Sequence, residues 1–127
     1  MKLRCTTNSI RIRIRKSELQ QLATDKRIEE KIQFGKGVSL TFALSVSGLA
    51  KEVTAHFVNN KLVVKLPKSI ASQWISSNQV GIEVNQSLED GDRLHILIEK
   101  DFPCLDREEE DKSDTFWELA PESPDAC

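Results

Sequence analysis

Three arginines, Arg11, Arg13 and Arg15, stand at alternate positions in the run I-R-I-R-I-R. Alternate side chains of an extended chain share one face, about 6.6 to 7 Å apart, near the phosphate spacing of a nucleic-acid backbone. A ladder of this kind makes a salt-sensitive anion site. The competing chemistry is plainer: arginines that cover an exposed sheet face and pair with acids on neighbouring strands, such as Glu29.

Other chemistries find less in the chain. Cys5, Cys104 and Cys127 are odd in number and lack C-x-x-C spacing, so neither a disulfide framework nor a zinc site is expected. His56 and His95 each fall in a strand-like run without H-E-x-x-H, which reads as surface or half-buried histidine rather than metal ligand. No glycine-rich phosphate loop is present. Cys104 has no histidine near it in sequence, and the carboxylates around Asp101, Asp106 and the run Glu108–Asp111 lack a framework to hold them. The chain reads as a non-enzymatic binding protein, without metal or cofactor.

The elements that must carry the arginines are legible from periodicity. Lys2 to Thr6 and Ile10 to Arg15 make two strands around Thr7-Asn8, where asparagine tolerates positive φ. Ser17-Glu18-Leu19-Gln20 has capping-box spacing and opens a short helix to about Thr24. Ile28, Ile32 and Phe34 alternate with polar residues in a third strand. Gly35-Lys36-Gly37 then turns the chain into Val38, Leu40, Phe42 and Leu44.

The same plan recurs about 52 positions later. Val53 to Val58 and Lys61 to Leu66 flank Asn59-Asn60, Pro67 ends the second strand, and Ser69 can cap a helix to about Ser76. Asn8 falls on Asn60, Ile10, Ile12 and Ile14 on Leu62, Val64 and Leu66, and Leu22 on Trp74. After a small indel, Leu40, Phe42 and Leu44 fall on Leu94, Ile96 and Ile98. A tandem duplication is expected.

The segment N-x-L-V-V-K-L-P-K-S-I, with Val80 to Val84 and Asp90-Gly91-Asp92-Arg93-Leu94, resembles the AbrB/MazE-like swapped-hairpin DNA-binding domain. The likeness is good for Asn60 to Ile98 and weaker for Asn8 to Leu44, where Arg15 stands in place of Pro67. It implies two interlocking strand-strand-helix-strand-strand units whose outward basic residues meet DNA. The family's basic position, five residues after the asparagine, falls on Arg13 and Lys65, and Lys61 shares the outward face with Lys65. Nearly the whole chain also resembles a family of small bacterial proteins with an N-S-I-R-x-R start and an E-K-D-F-x-C-L end, which has no assigned function.

Charge is divided along the chain. Residues 1–100 carry 16 Lys+Arg against 10 Asp+Glu, whereas residues 101–127 carry 2 against 10, within a net charge of -2. The acidic stretch lacks apolar content for a core and reads as a tail, mobile or docked. In it stands the island Phe116, Trp117 and Leu119. In antitoxins of the MazE kind such an arm implies a protein partner anchored by aromatics; the alternatives are a tail that folds back on its own basic face or merely solubilises it.

The expected architecture is α+β and mostly β. Residues 1–100 form two tandem halves, about 1–50 and 51–100, in a pseudo-two-fold swapped-hairpin-like domain, and residues 101–127 form the acidic tail. The expected role is an AbrB/MazE-like DNA-binding regulator or antitoxin, with Arg11, Arg13, Arg15, Lys61 and Lys65 toward DNA and Phe116, Trp117 and Leu119 toward a protein. The alternative is a protein-interaction module without nucleic acid. A monomeric pseudo-dimer or weak homodimer is expected. No apolar run approaches the roughly 20 residues of a membrane span, and the polar N-terminus is unlike a secretory signal, so a cytoplasmic location is expected.

Overall fold

A computed structural model describes residues 1–102, together with Phe116 and Leu119. Eight strands and two helices follow in the order β1 (Lys2–Thr6), β2 (Ser9–Ile14), α1 (Lys16–Asp25), β3 (Arg27–Gly35), β4 (Val38–Ser47), β5 (Thr54–Val58), β6 (Lys61–Pro67), α2 (Lys68–Ser76), β7 (Gly81–Ser87) and β8 (Arg93–Lys100). The chain is mostly β, as the alternating patterns require. Neither helix is long and apolar enough to cross a membrane.

The turns follow from their residues. Asn8, Asn59 and Asn60 take φ of 52°, 53° and 61°, the left-handed region that asparagine enters most readily after glycine. Gly37 and Gly91 supply positive φ for the β3–β4 and β7–β8 turns, at 75° and 90°.

Both helices start earlier than their serines suggest. Helix α1 begins at Lys16 with Arg15 as N-cap, and Glu18, not Ser17, governs its start: the Arg15 N–H donates to Glu18 Oε1 at 2.8 Å. Arg15 has no side-chain acceptor, so only this returning half of a capping box forms. Pro67 is the N-cap of α2, at φ -58° and ψ 142°, and Ser69 lies one residue inside. A proline held extended there ends β6 and turns the chain into the helix without a side-chain cap.

Each sheet is assembled from both halves of the chain, the first from its two ends and the second from its middle. One has the order β1-β2-β8-β7 and the other β3-β4-β6-β5. The hairpins are antiparallel, while the central contacts, β2 with β8 and β4 with β6, are parallel. Inward side chains of the two sheets, among them Ile12, Ile14, Leu44, Val64, Leu66, Ile96 and Ile98, make one core with Leu22 of α1 and Trp74 of α2. Trp74 is fully buried, and its indole N–H donates to the Val80 carbonyl at 3.1 Å, which satisfies its one polar atom. Gln86 of β7 joins the two sheets. Its amide accepts from Ala55 N at 2.7 Å and donates to Ala55 O at 3.2 Å, closing part of the free edge of β5.

The third strand departs from its pattern. Ile28 is buried as expected, whereas Ile32 is 42% and Phe34 66% exposed, because β3 and β4 run beyond the core. A register irregularity between Gln33 and Gly35 sets Phe34 out of the ladder.

Candidate functional site

With isoleucines turned inward, the odd-numbered residues of β2 face outward. The pairing register lines up Arg4, Arg11, Leu97 and Glu83 across the first sheet, with Lys2, Arg13, Glu99 and Gly81 in the next row. Arg11 and Arg13 thus share one face. Both converge on Glu99: Arg13 Nε lies 2.5 Å and Arg11 Nε 3.2 Å from its Oε1. Glu99 is 7% exposed, and a carboxylate covered to this degree is tolerable because it is paired. Arg13 also lies against Phe102, 5.7 Å from the ring centroid.

The partner expected for the ladder, Glu29, stands on the other sheet and bonds Arg27 of its own strand at 3.0 Å. Arg15 leaves the strand to become the cap of α1, its side chain exposed and 3.7 Å from Glu18. It is therefore not a third rung.

Lys61 and Lys65 occupy the outward face of the second sheet. One row there is Lys31, Thr41, Lys61 and Val58; two rows on lies Arg27, Ser45, Lys65 and Thr54. Among the described residues Lys31, Lys61 and Lys65 make no ion pair. Thr41, Ala43 and Ser45 of β4 form a low centre between the basic side chains. Of the five basic residues singled out by sequence, Arg11 and Arg13 lie on one sheet, Lys61 and Lys65 on the other, and Arg15 at the start of α1.

At the start of the chain, the Met1 ammonium is enclosed and bonds Glu18 and Glu30, the latter at 2.7 Å. Burial opposes its charge, but the hydrogen bonds and charges of Glu18 and Glu30 prevail and hold it above the ordinary 8.0. Burial likewise raises Glu18, yet the bonds from Met1 and the Arg15 N–H prevail and hold it below the ordinary range.

Phe116 and Leu119 are each 75% exposed, and the Leu119 N–H donates to the Phe116 carbonyl at 2.9 Å. Trp117 and most of the acidic tail lie outside the described residues, as do Cys104 and Cys127; Cys5 is exposed. Among the described residues no cluster of three or more His, Cys, Asp or Glu side chains could hold a metal ion.

Sequence reasoning missed Glu99, Arg4, Lys31 and the role of Ser9 and His95. A signal existed for Glu99 alone: it follows the inward residues Leu94, Ile96 and Ile98 and shares the parity of the outward residues His95 and Leu97.

A model described as a family of unknown function, DUF7009, matches residues 1–119. No curated protein and no solved structure matches the chain.

Proposed function

The chain belongs to this family, whose function is unknown, and we propose that it is a non-enzymatic binding protein built as a duplicated swapped hairpin of the AbrB/MazE-like kind. Its proposed ligand is a nucleic-acid backbone, held on the lysine-bearing face of the second sheet.

Corresponding bonds support the duplication. Asn8 O accepts from His95 N at 2.9 Å, and Asn60 O accepts from Thr41 N at 3.0 Å. Lys26 O accepts from Val46 N at 2.8 Å, and Val80 O accepts from Lys100 N at 2.9 Å. Asn8 corresponds to Asn60 at a shift of 52, and Lys26, Thr41 and Val46 correspond to Val80, His95 and Lys100 at a shift of 54, beyond the indel. Each sheet also takes one hairpin from either half, which is how an interlocked pair would be built from one chain.

The observation that carries the ligand is the pair of basic rows on the second sheet. Lys61 and Lys65 stand on one strand with Lys31 and Arg27 across the sheet, and the acid among them, Glu29, is engaged by Arg27. Such a face attracts polyanions without reading bases, because lysine supplies charge and not fixed hydrogen-bond geometry. The test is fluorescence anisotropy of a labelled duplex at a series of salt concentrations. Binding should weaken steeply with salt, and Lys61→Ala or Lys65→Ala should each lower the salt slope by about 1. No binding at low salt, or slopes unchanged in both variants, would overturn the reading.

A protein-binding role is the second reading, favoured by exposed apolar groups. Ile32, Val38 and Phe57 are 42%, 55% and 63% exposed, and Phe116 and Leu119 more so.

A further inference from the structure

The outward face of the first sheet contains a cleft of about 230 Å³, lined by Arg4, Thr6, Ser9, Arg11, His95 and Leu97. Its shape follows from strand register. Arg4, Arg11 and Leu97 are neighbours in one row, and Thr6, Ser9 and His95 in the next. Two guanidiniums and a leucine therefore stand at one end, and hydroxyls and an imidazole at the other.

The side chains are held before any ligand arrives. Ser9 Oγ lies 3.1 Å from His95 Nδ1, and His95 Nε2 lies 3.3 Å from Glu83 Oε1. With Nε2–H donating to Glu83, Nδ1 accepts the Ser9 hydroxyl, which fixes both side chains at the rim. Arg11 is anchored from behind by Glu99.

The charge is unbalanced in a definite way. Arg11 and Arg13 share the single carboxylate of Glu99, so that trio retains one positive charge. Arg4, directly opposite Arg11, has no carboxylate partner among the described residues and adds a second. Like charges facing each other across strands are destabilising, and an anion between them reverses the sign of that contribution. Glu83 stands on the far strand, behind the imidazole, and is not part of the lining.

We infer that this cleft binds a phosphate dianion, free or as the terminal group of a monoester, between Arg4 and Arg11. Counted over the described residues, the two uncompensated positive charges match the charge of about -1.5 to -2 that a phosphate monoester carries near pH 7. Paired guanidiniums suit its oxygens geometrically, and the Thr6 hydroxyl is a further donor. The volume accommodates a tetrahedral phosphate with a few attached atoms, which can meet Leu97, and not a length of duplex. This site lies on the other sheet from the lysine face and is independent of it.

Calorimetric titration of the full chain with inorganic phosphate, methyl phosphate and dimethyl phosphate tests the inference. The dianions should bind saturably, and dimethyl phosphate, a monoanion, at least roughly tenfold more weakly. Arg4→Ala should weaken dianion binding roughly tenfold or more. Arg4 is exposed and makes no ion pair among the described residues, so this variant should fold. Lys61→Ala, on the opposite sheet, should change nothing. Methyl phosphate binding more tightly than inorganic phosphate assigns the cleft to an esterified group, and the reverse assigns it to free phosphate; both keep the site. Absence of saturable binding, equal binding of the diester, or an Arg4→Ala variant that binds as the parent does would overturn it.

Discussion

Arg13 and Glu99 are partners across the parallel pairing of β2 and β8, with Arg13 Nε 2.5 Å from Glu99 Oε1. The contact makes the central rung of the arginine ladder a structural ion pair. Glu99 also holds Arg11, so the two sides of the pair are unequal. Glu99→Ala would leave two guanidiniums without a counter-charge, whereas Arg13→Ala leaves the carboxylate with Arg11. We expect Glu99→Ala to cost about 2–3 kcal/mol, below the range for a fully buried pair because Arg11 is partly in water, and Arg13→Ala to cost less. Urea unfolding of both variants measures the order; a reversed order would contradict the shared-carboxylate arrangement.

The identity of this partner shows where sequence reading stops. Alternation in Ile10 to Arg15 fixes which side chains face outward, and the asparagine turns fix the hairpins. Neither says which strand lies alongside. The β2–β8 pairing joins segments 86 positions apart, Arg13 to Glu99, and only the assembled sheet brings them together. The same limit explains Ile32 and Phe34. Periodicity assigned them a face, but whether that face is covered depends on how far β3 overruns the core.

Gly81 stands beside Glu99 in the β7–β8 register. A Cβ there would come within 2.8 Å of the Ile98 carbonyl oxygen and 3.2 Å of Glu99 Cβ. Since the nearest obstacle is backbone, Gly81→Ala should displace β7 and cost about 1–3 kcal/mol. Gly35→Ala, where nothing lies within 4 Å, should be close to neutral. Thermal melts of the two variants should differ clearly; similar melts would mean that β7 yields without cost.

The Met1–Glu18 contact predicts a stability plateau in pH. The amine is held above 8.0, so its contribution is complete below that value and is lost as pH rises through the folded pKa. Glu18 is held below 4.5, so its contribution is complete above that value and is lost as pH falls through the folded pKa. The contact therefore contributes fully between about pH 5 and 8 and declines on both sides. Denaturant midpoints across this range should fall at either end, and Glu18→Gln should flatten both limbs. An unaltered alkaline limb in that variant would show that other groups set it.

The acidic stretch offers a long-range test of the basic faces. Residues 103–127 carry 2 Lys+Arg and 9 Asp+Glu, so ending the chain after Phe102 changes the formal charge from -2 to +5. Among the described residues the buried core runs from Met1 to Ile98, and Phe102 remains over Arg13, so the shortened chain should keep its fold. Net charge acts on encounter with polyanions over a Debye length, about 10 Å at 0.1 M salt. We therefore expect the shortened chain to elute from heparin at higher salt than the full chain, with the gap largest at low ionic strength. Lys61→Ala in the shortened background should lower its elution point again, since screening by the tail and charge on the second sheet act on the same field. Equal elution of full and shortened chains would show that the tail does not screen the body, and the lysine face would then have to be judged by its own variants alone.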